Sequence, residues 1–208
     1  VLLANELVDE GAIRWVRGAL DADSAFDFTC LVDGPGGVAR LADARGRRPL
    51  DVLVELGLPG GRTGARGPEA ALEVARAVEA ASGLRLRGVE CYEGIVQTQD
   101  PAQDEARINA WLDALGELAS ACGREELFET EEVLLSAGGS AYFDLVARRL
   151  SRIDLGRPSR VLLRSGCYLS HDAGHYRRLV QRLEGRLPSA WRSPEHLEPA
   201  LEVWGRVL

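Results

Sequence analysis

Short hydrophobic runs recur along the chain at intervals long enough to hold a helix between neighbouring runs. Most of them lack strict alternation of hydrophobic and polar positions, which is typical of parallel strands buried on both faces. Six runs therefore predict strands: Val1–Ala4, Phe28–Val32, Asp51–Gly57, Leu86–Tyr92, Val133–Ala137 and Val161–Arg164.

The intervals between these runs carry hydrophobic residues at helical spacing, which predicts helices with one buried face. One predicted helix extends from about Pro68 to Ser82, and Pro68 and Glu69 suit its first turn. A longer one follows Asp100-Pro101. Three such buried faces are Leu72, Ala75, Val78 and Ala81; Ile108, Trp111, Leu112, Leu115, Leu118 and Cys122; and Tyr142, Phe143, Val146 and Leu150.

Strands that alternate with helices along the whole chain predict an α/β fold in which helices cover a parallel sheet. About six βα units fit either an α/β barrel or a doubly wound sheet. We expect this domain to span residues 1–187. Three prolines interrupt the pattern in Leu187–Pro199, so residues 188–208 are expected to leave the domain as a crossover.

Composition narrows the class of protein. The net charge of −7, with no basic cluster, argues against nucleic acid and anionic membrane surfaces as partners. No apolar stretch approaches the roughly 20 residues of a membrane helix. The 4 cysteines are far apart and form no C-x-x-C pair, which favours buried thiols in a reducing compartment and a cytoplasmic location.

All 25 basic residues are arginine, so no side chain in this sequence can form a Schiff base through a lysine amine. The histidine pair His171 and His175 has helical spacing but does not form the H-E-x-x-H pattern. We therefore expect no metal site within this chain.

Candidate chemistry is sought where parallel strands end, because binding sites of α/β folds lie at the carboxyl ends of the strands. The strand at Asp51–Gly57 runs into a glycine-rich loop containing Arg62, a fixed cation suited to a cofactor or substrate anion. Tyr92 ends the next strand, where its ring can stack on an aromatic cofactor. The alternatives are a solvated arginine and a core tyrosine.

The last two strands end in small residues. Ser136, Gly138 and Gly139 precede a helix, where free backbone N–H groups make an anion site, although Ser140 is also a plausible N-cap. Ser165 with the N–H groups of the residues after it can meet the same anion. Barrels often bind phosphate with the loops after their last two strands, so the pattern predicts a phosphorylated cofactor or substrate.

Four strand-end motifs, taken in order, resemble the pyridoxal phosphate (PLP)-dependent family of D-threonine aldolase and D-serine deaminase. That fold type III family carries an alanine-racemase-type N-terminal barrel. The resemblance covers nearly the whole chain and rests on several motifs together. They are Val54–Gly57 with Gly61–Gly64, Leu86–Gly94, Ser136–Ser140, and Arg164–Tyr168 followed by Asp172 and Tyr176.

The resemblance implies a (β/α)₈ TIM-type barrel, incomplete in this segment. It implies that the Schiff-base lysine and a C-terminal β-domain, which in the family binds a divalent metal, lie outside this chain. It further implies a homodimer and a small D-amino acid substrate. The cofactor-binding residues that it implies are Arg62, Tyr92, Ser136, Gly138, Gly139, Ser165, Gly166, Cys167 and Tyr168.

The expected function is a PLP-dependent deaminase (dehydratase) or aldolase that acts on D-β-hydroxy amino acids such as D-serine or D-threonine. PLP supplies an electron sink to such an enzyme. An amino-acid racemase, a non-catalytic PLP-binding barrel and a barrel enzyme for a sugar phosphate remain as alternatives.

Overall fold

The computed structural model of this protein describes residues 1–95, 98, 100–139, 141–188, 198 and 204–206. Its strands are β1 (Leu2–Glu6), β2 (Thr29–Val32), β3 (Leu50–Gly57), β4 (Ala65–Arg66), β5 (Leu84–Cys91), β6 (Val133–Ala137) and β7 (Ser159–Leu163). Its α-helices are α1 (Glu10–Ala22), α2 (Pro35–Asp43), α3 (Pro68–Glu79), α4 (Pro101–Arg124), α5 (Phe143–Leu150) and α6 (His175–Arg186).

The strands form one parallel sheet in the order β1-β2-β3-β5-β6-β7, with the short β4 paired to β3. The order never reverses, which distinguishes this sheet from a doubly wound one. All six long strands, or the loops that follow them, contribute to the lining of a single cavity, so the sheet curves around it. The fold is therefore an incomplete (β/α)₈ barrel, and the expected fold class is confirmed.

Two hydrophobic clusters hold the barrel together. The large one fills the space between the helices and the outer face of the sheet, where Val52, Val54 and Leu56 of β3 are fully buried. The small one closes the barrel interior and consists of Leu31, Leu53 and Leu134, with Leu2 packed against them. Alternate residues of a strand point to opposite faces, so Leu53 faces the interior while its neighbours face the helices.

The strand predictions are confirmed with small shifts at their ends. β6 has the predicted bounds, whereas β7 begins two residues earlier, at Ser159. The predicted helix from Pro68 ends at Glu79 instead of Ser82. Its buried face consists of Ala71, Val74, Ala75 and Val78, which is slightly rotated about the helix axis from the predicted face. Most of the expected crossover at residues 188–208 lies outside the described residues.

No helix in the described part of the chain has the length and apolarity needed to cross a membrane.

Gly88 marks a point of close contact between two strands. The pairing of β3 with β5 shifts register beside it, and a Cβ at this position would lie 2.8 Å from the Leu134 carbonyl carbon of β6. Real Cβ atoms do not approach backbone this closely, so β6 must move if the side chain is added.

We expect Gly88→Ala to lower the free energy of unfolding by at least about 2 kcal/mol, because the strands must separate to admit the methyl group. Gly18→Ala is the matched control, since Gly18 lies in α1 with no atom within 4 Å of the added Cβ. The control should gain up to about 1 kcal/mol from helix propensity. Denaturant unfolding measures both, and equal stabilities of the two variants would contradict the packing argument.

Candidate functional site

A cavity of about 560 Å³ opens at the carboxyl ends of the strands. Its lining includes Glu55, Arg62, Glu90, Tyr92, Gly138 and Arg164. A groove of about 610 Å³ lies beside α4, but its arginines and carboxylates are surface groups, and Arg149 and Asp113 pair with each other. The cavity has the position that α/β barrels use for binding, so we take it as the candidate site.

A hydrogen-bonded pair of side chains, Glu90 and Arg164, lines the inner part of this cavity. The guanidinium group of Arg164 donates hydrogen bonds to the Glu90 carboxylate, to the Cys91 carbonyl oxygen (2.9 Å) and to Ser136 Oγ (3.0 Å). The Glu90 side chain is 1% exposed and that of Arg164 16% exposed. Arg164 therefore joins the ends of β5 and β6 to the residue that follows β7.

The loop that carries Arg62 is anchored from inside the barrel. Thr63 Oγ1 donates a hydrogen bond of 2.5 Å to the Glu55 carboxylate on β3. The backbone N–H of Gly64 donates to the Asp33 carboxylate, 3.3 Å away, at the end of β2. These two contacts fix the loop at the two residues that follow Arg62.

Burial changes the acidity of the carboxyl groups in the interior. Burial raises the pKa of Glu90 to about 8. The positive charge of Arg164 lowers this pKa, but by less than burial raises it. Burial also raises the pKa of Glu55 to about 7; the hydrogen bond from Thr63 opposes the rise, and the nearby Glu6 adds to it. Both groups are therefore largely protonated in mildly acidic solution.

Arg62 and Tyr92, both expected around a cofactor ring, line this cavity and contact each other. The Arg62 guanidinium carbon lies 5.6 Å from the centre of the Tyr92 ring, within the range of a cation–π contact. Arg62 is exposed and Tyr92 is half-buried, so both present surface to a ligand.

Three residues of the expected phosphate cradle are engaged within the protein. The backbone N–H of Gly138 donates to the Glu93 carboxylate at 3.0 Å, and the N–H of Gly139 donates to its other oxygen. The hydroxyl of Ser136 donates to the Leu162 carbonyl oxygen at 2.9 Å and accepts from Arg164. The sequence did not reveal that a carboxylate occupies these N–H groups.

The loop after β7 differs. Ser165 Oγ is buried and has no hydrogen-bond partner among the described residues. Gly166 and Cys167 line the cavity beside it. Tyr168 belongs to the short 3₁₀ turn Cys167–Leu169, and Ser140, expected as an N-cap, lies outside the described residues.

Within the described ranges, no group of three or more His, Cys, Asp or Glu side chains is arranged to hold a metal ion. His171 is buried against the Tyr176 ring, at 5.2 Å between ring centres.

The sequence matches the alanine racemase N-terminal domain family over residues 11–158, and the chain belongs to this family. It is 31% identical over 147 residues to the 3-hydroxy-D-aspartate aldolase of Paracoccus denitrificans, covering 69% of this chain and 37% of that protein. The resemblance to fold type III proteins of the D-threonine aldolase group is thereby confirmed.

Solved structures agree. The D-threonine aldolase of Filomicrobium marinum superposes with a TM-score of 0.67 at 27% identity, covering 95% of this chain and 48% of that one. The lysine/ornithine decarboxylase of Vibrio vulnificus has the same fold, with a TM-score of 0.60 at 15% identity, covering 83% of this chain and 46% of that one. The chain thus spans less than half the length of these relatives.

Sequence reasoning missed four residues that organise the site: Glu55, Glu90, Glu93 and Arg164. A signal was present, because Glu55 lies between Val54 and Leu56, and Glu90 lies between Val89 and Cys91, in segments that are buried on both faces. Carboxylates seldom occupy such positions unless they are paired or functional. Arg164 begins the motif Arg164–Tyr168, but its contacts with Glu90 and Ser136 can be predicted only when the register of the strands is known.

The raised pKa values of Glu55 and Glu90 predict how stability depends on pH. Between the ordinary glutamate pKa of 4.5 and their folded values, the unfolded chain loses protons that the folded protein retains. The free energy of unfolding should therefore fall as the pH rises from about 5 to about 8, by at most about 1.4 kcal/mol per pH unit for each group.

Glu55→Gln and Glu90→Gln should each reduce this slope, because glutamine does not titrate. Glu69→Gln, at an exposed position on α3, is the control and should keep the wild-type slope. Denaturant titrations at several pH values measure the effect, and a stability that rises from pH 5 to pH 8 would contradict it.

Proposed function

We propose that the intact protein binds PLP at the barrel mouth and acts as an aldolase on D-β-hydroxy amino acids. The observation that carries the proposal is the cavity itself, which is lined by the cation–aromatic pair Arg62 and Tyr92 and by Gly166 and Cys167. The neighbouring Ser165 has a buried hydroxyl that lacks a partner among the described residues. The relatives named as aldolases of D-threonine and of 3-hydroxy-D-aspartate support this choice of reaction.

The residues present suit the chemistry of PLP. Ser165, with Gly166 and Cys167 beside it, offers small groups where a phosphate needs hydrogen-bond donors. Tyr92 and Arg62 provide an aromatic face and a cation for the pyridine ring and its substituents. Ser136, Gly138 and Gly139 form hydrogen bonds within the protein, so we propose that they hold the cavity wall in place and do not donate to the cofactor. Tyr168 is retained as a candidate contact.

Bound PLP supplies an electron sink that stabilises the negative charge left at Cα when a bond to that carbon breaks. The contribution of this chain is to bind and orient. A cation such as Arg62 disfavours protonation of a basic nitrogen placed beside it, and would therefore change how strongly the pyridine ring withdraws electrons. The chain contains no lysine, so we propose that the Schiff-base lysine comes from another part of the intact protein.

The site does not by itself decide which bond breaks. An aldolase converts D-threonine to glycine and acetaldehyde, whereas a deaminase converts D-serine to pyruvate and ammonia, and a racemase yields the L-enantiomer. We favour the aldolase because of its relatives, and we propose a homodimer and a divalent metal outside this chain on the same analogy.

The first test incubates the intact protein with PLP and either D-threonine or D-serine, and measures glycine, aldehyde, pyruvate and the L-enantiomer. Glycine and aldehyde should form from the D-substrate and not from L-threonine. Pyruvate as the main product would replace the aldolase with a deaminase. PLP binding without turnover of any of these substrates would favour a non-catalytic barrel, and tight binding of a sugar phosphate in place of PLP would remove the proposal.

The placement of Arg62 has its own test. Arg62→Ala should weaken PLP binding at least about tenfold, because both its charge and its contact with Tyr92 are lost. Arg14→Ala is the matched control, since Arg14 is exposed on α1 and pairs only with Glu10 among the described residues. Unchanged PLP affinity in Arg62→Ala, measured by fluorescence titration, would exclude Arg62 from the site.

A further inference from the structure

Glu93 is the most thoroughly enclosed carboxylate at the strand ends. It follows Tyr92 immediately and is 0% exposed. One carboxylate oxygen accepts the backbone N–H of Gly138 at 3.0 Å, and the other accepts that of Gly139. These two hydrogen bonds tie the loop after β6 to the turn after β5.

The glycine at position 139 fits this arrangement. A Cβ there would lie 2.9 Å from the Glu93 carboxyl carbon, so an alanine cannot share the space with the carboxylate. Glu93 and Gly139 are therefore complementary in shape as well as in hydrogen bonding.

The two tied segments form adjacent walls of the cavity. Tyr92 lines one wall, and a Cβ at Gly94 would lie 2.6 Å from the Tyr92 hydroxyl, so the ring rests directly on this turn. Gly138 lines the next wall, where a Cβ would lie 3.1 Å from the Arg164 guanidinium carbon. A shift of the Glu93 carboxylate must therefore displace surfaces that face the ligand.

We propose that Glu93 is a positioning residue for this site: its carboxylate holds the Gly138–Gly139 loop against the Tyr92 turn. The loop is thus set before any ligand binds, and its two N–H groups are not donors to the ligand. The proposal rests on the proposed function for the identity of the ligand, but its structural part does not.

The test compares Glu93→Gln with the wild type in the intact protein. Glutamine keeps the size but offers one acceptor, so one loop N–H loses its partner. Without ligand, the amides of Gly138 and Gly139 should exchange hydrogen at least about tenfold faster in the variant, and the dissociation constant for PLP should rise about tenfold. Glu117→Gln makes the same charge change on the exposed face of α4 and should alter neither value.

A double-mutant cycle separates positioning from general destabilisation. Gly139→Ala displaces the carboxylate from the other side, so its effect on PLP affinity should not add to that of Glu93→Gln. Additive losses would overturn the proposal. If Glu93→Gln does not fold, Gly139→Ala and Glu93→Asp allow the same measurements.

Two further outcomes would overturn it. Unchanged exchange at Gly138 and Gly139 would show that the carboxylate does not hold the loop. Tighter PLP binding by Glu93→Gln would show that the carboxylate competes with the ligand. A wild type that binds no PLP would defeat the proposed function, while hydrogen exchange would still decide the role of Glu93.

Discussion

The arrangement of the site depends on one buried guanidinium group. Arg164 contacts Glu90, Ser136 and the carbonyl oxygen of Cys91, and so connects the carboxyl ends of three neighbouring strands. Burying a charged group such as this guanidinium costs several kcal/mol, which is offset only when the geometry is good and its polar atoms are hydrogen-bonded. Small movements of these strand ends are therefore costly, and the loops that follow them start from fixed points.

The charge distribution in the cavity is ordered along the barrel axis. Carboxyl groups lie inside, with Glu55 and Glu90 on adjacent strands, and the exposed arginine Arg62 lies at the mouth. An acidic interior would repel an anionic ligand if every group were ionised. Burial raises the pKa of both glutamates, so the interior carries less negative charge near neutral pH than its composition suggests. An anion at the mouth then meets mainly the guanidinium group of Arg62.

The sequence predicted the barrel well because the inner strands β2, β3, β5 and β6 are largely buried and the helices have one hydrophobic side. β6 has the predicted bounds, and Arg62 and Tyr92, which were singled out at two different strand ends, line one cavity. What the sequence could not supply is the register between strands. Residues 90, 136 and 164 are distant along the chain, and their contact follows from the alignment of Glu90 with Ser136 in the sheet. The predicted buried face of α3 differs from the observed one because alanines at helical spacing are compatible with more than one buried face.

The phosphate cradle shows a second limit of sequence reasoning. A run of small residues after a strand presents backbone N–H groups, and such groups bind any well-placed anion. That anion can be a ligand or a side chain of the same protein, and the local sequence is the same in both cases. Here Glu93, 45 residues away along the chain from Gly138, is the anion for one loop, while the buried Ser165 hydroxyl of the next loop has no partner among the described residues. An internal carboxylate fixes its loop at all times, whereas a ligand does so only when bound. Under the proposed function, Glu93 sets the loop after β6 in advance and the ligand completes the loop after β7, which lowers the ordering cost of binding.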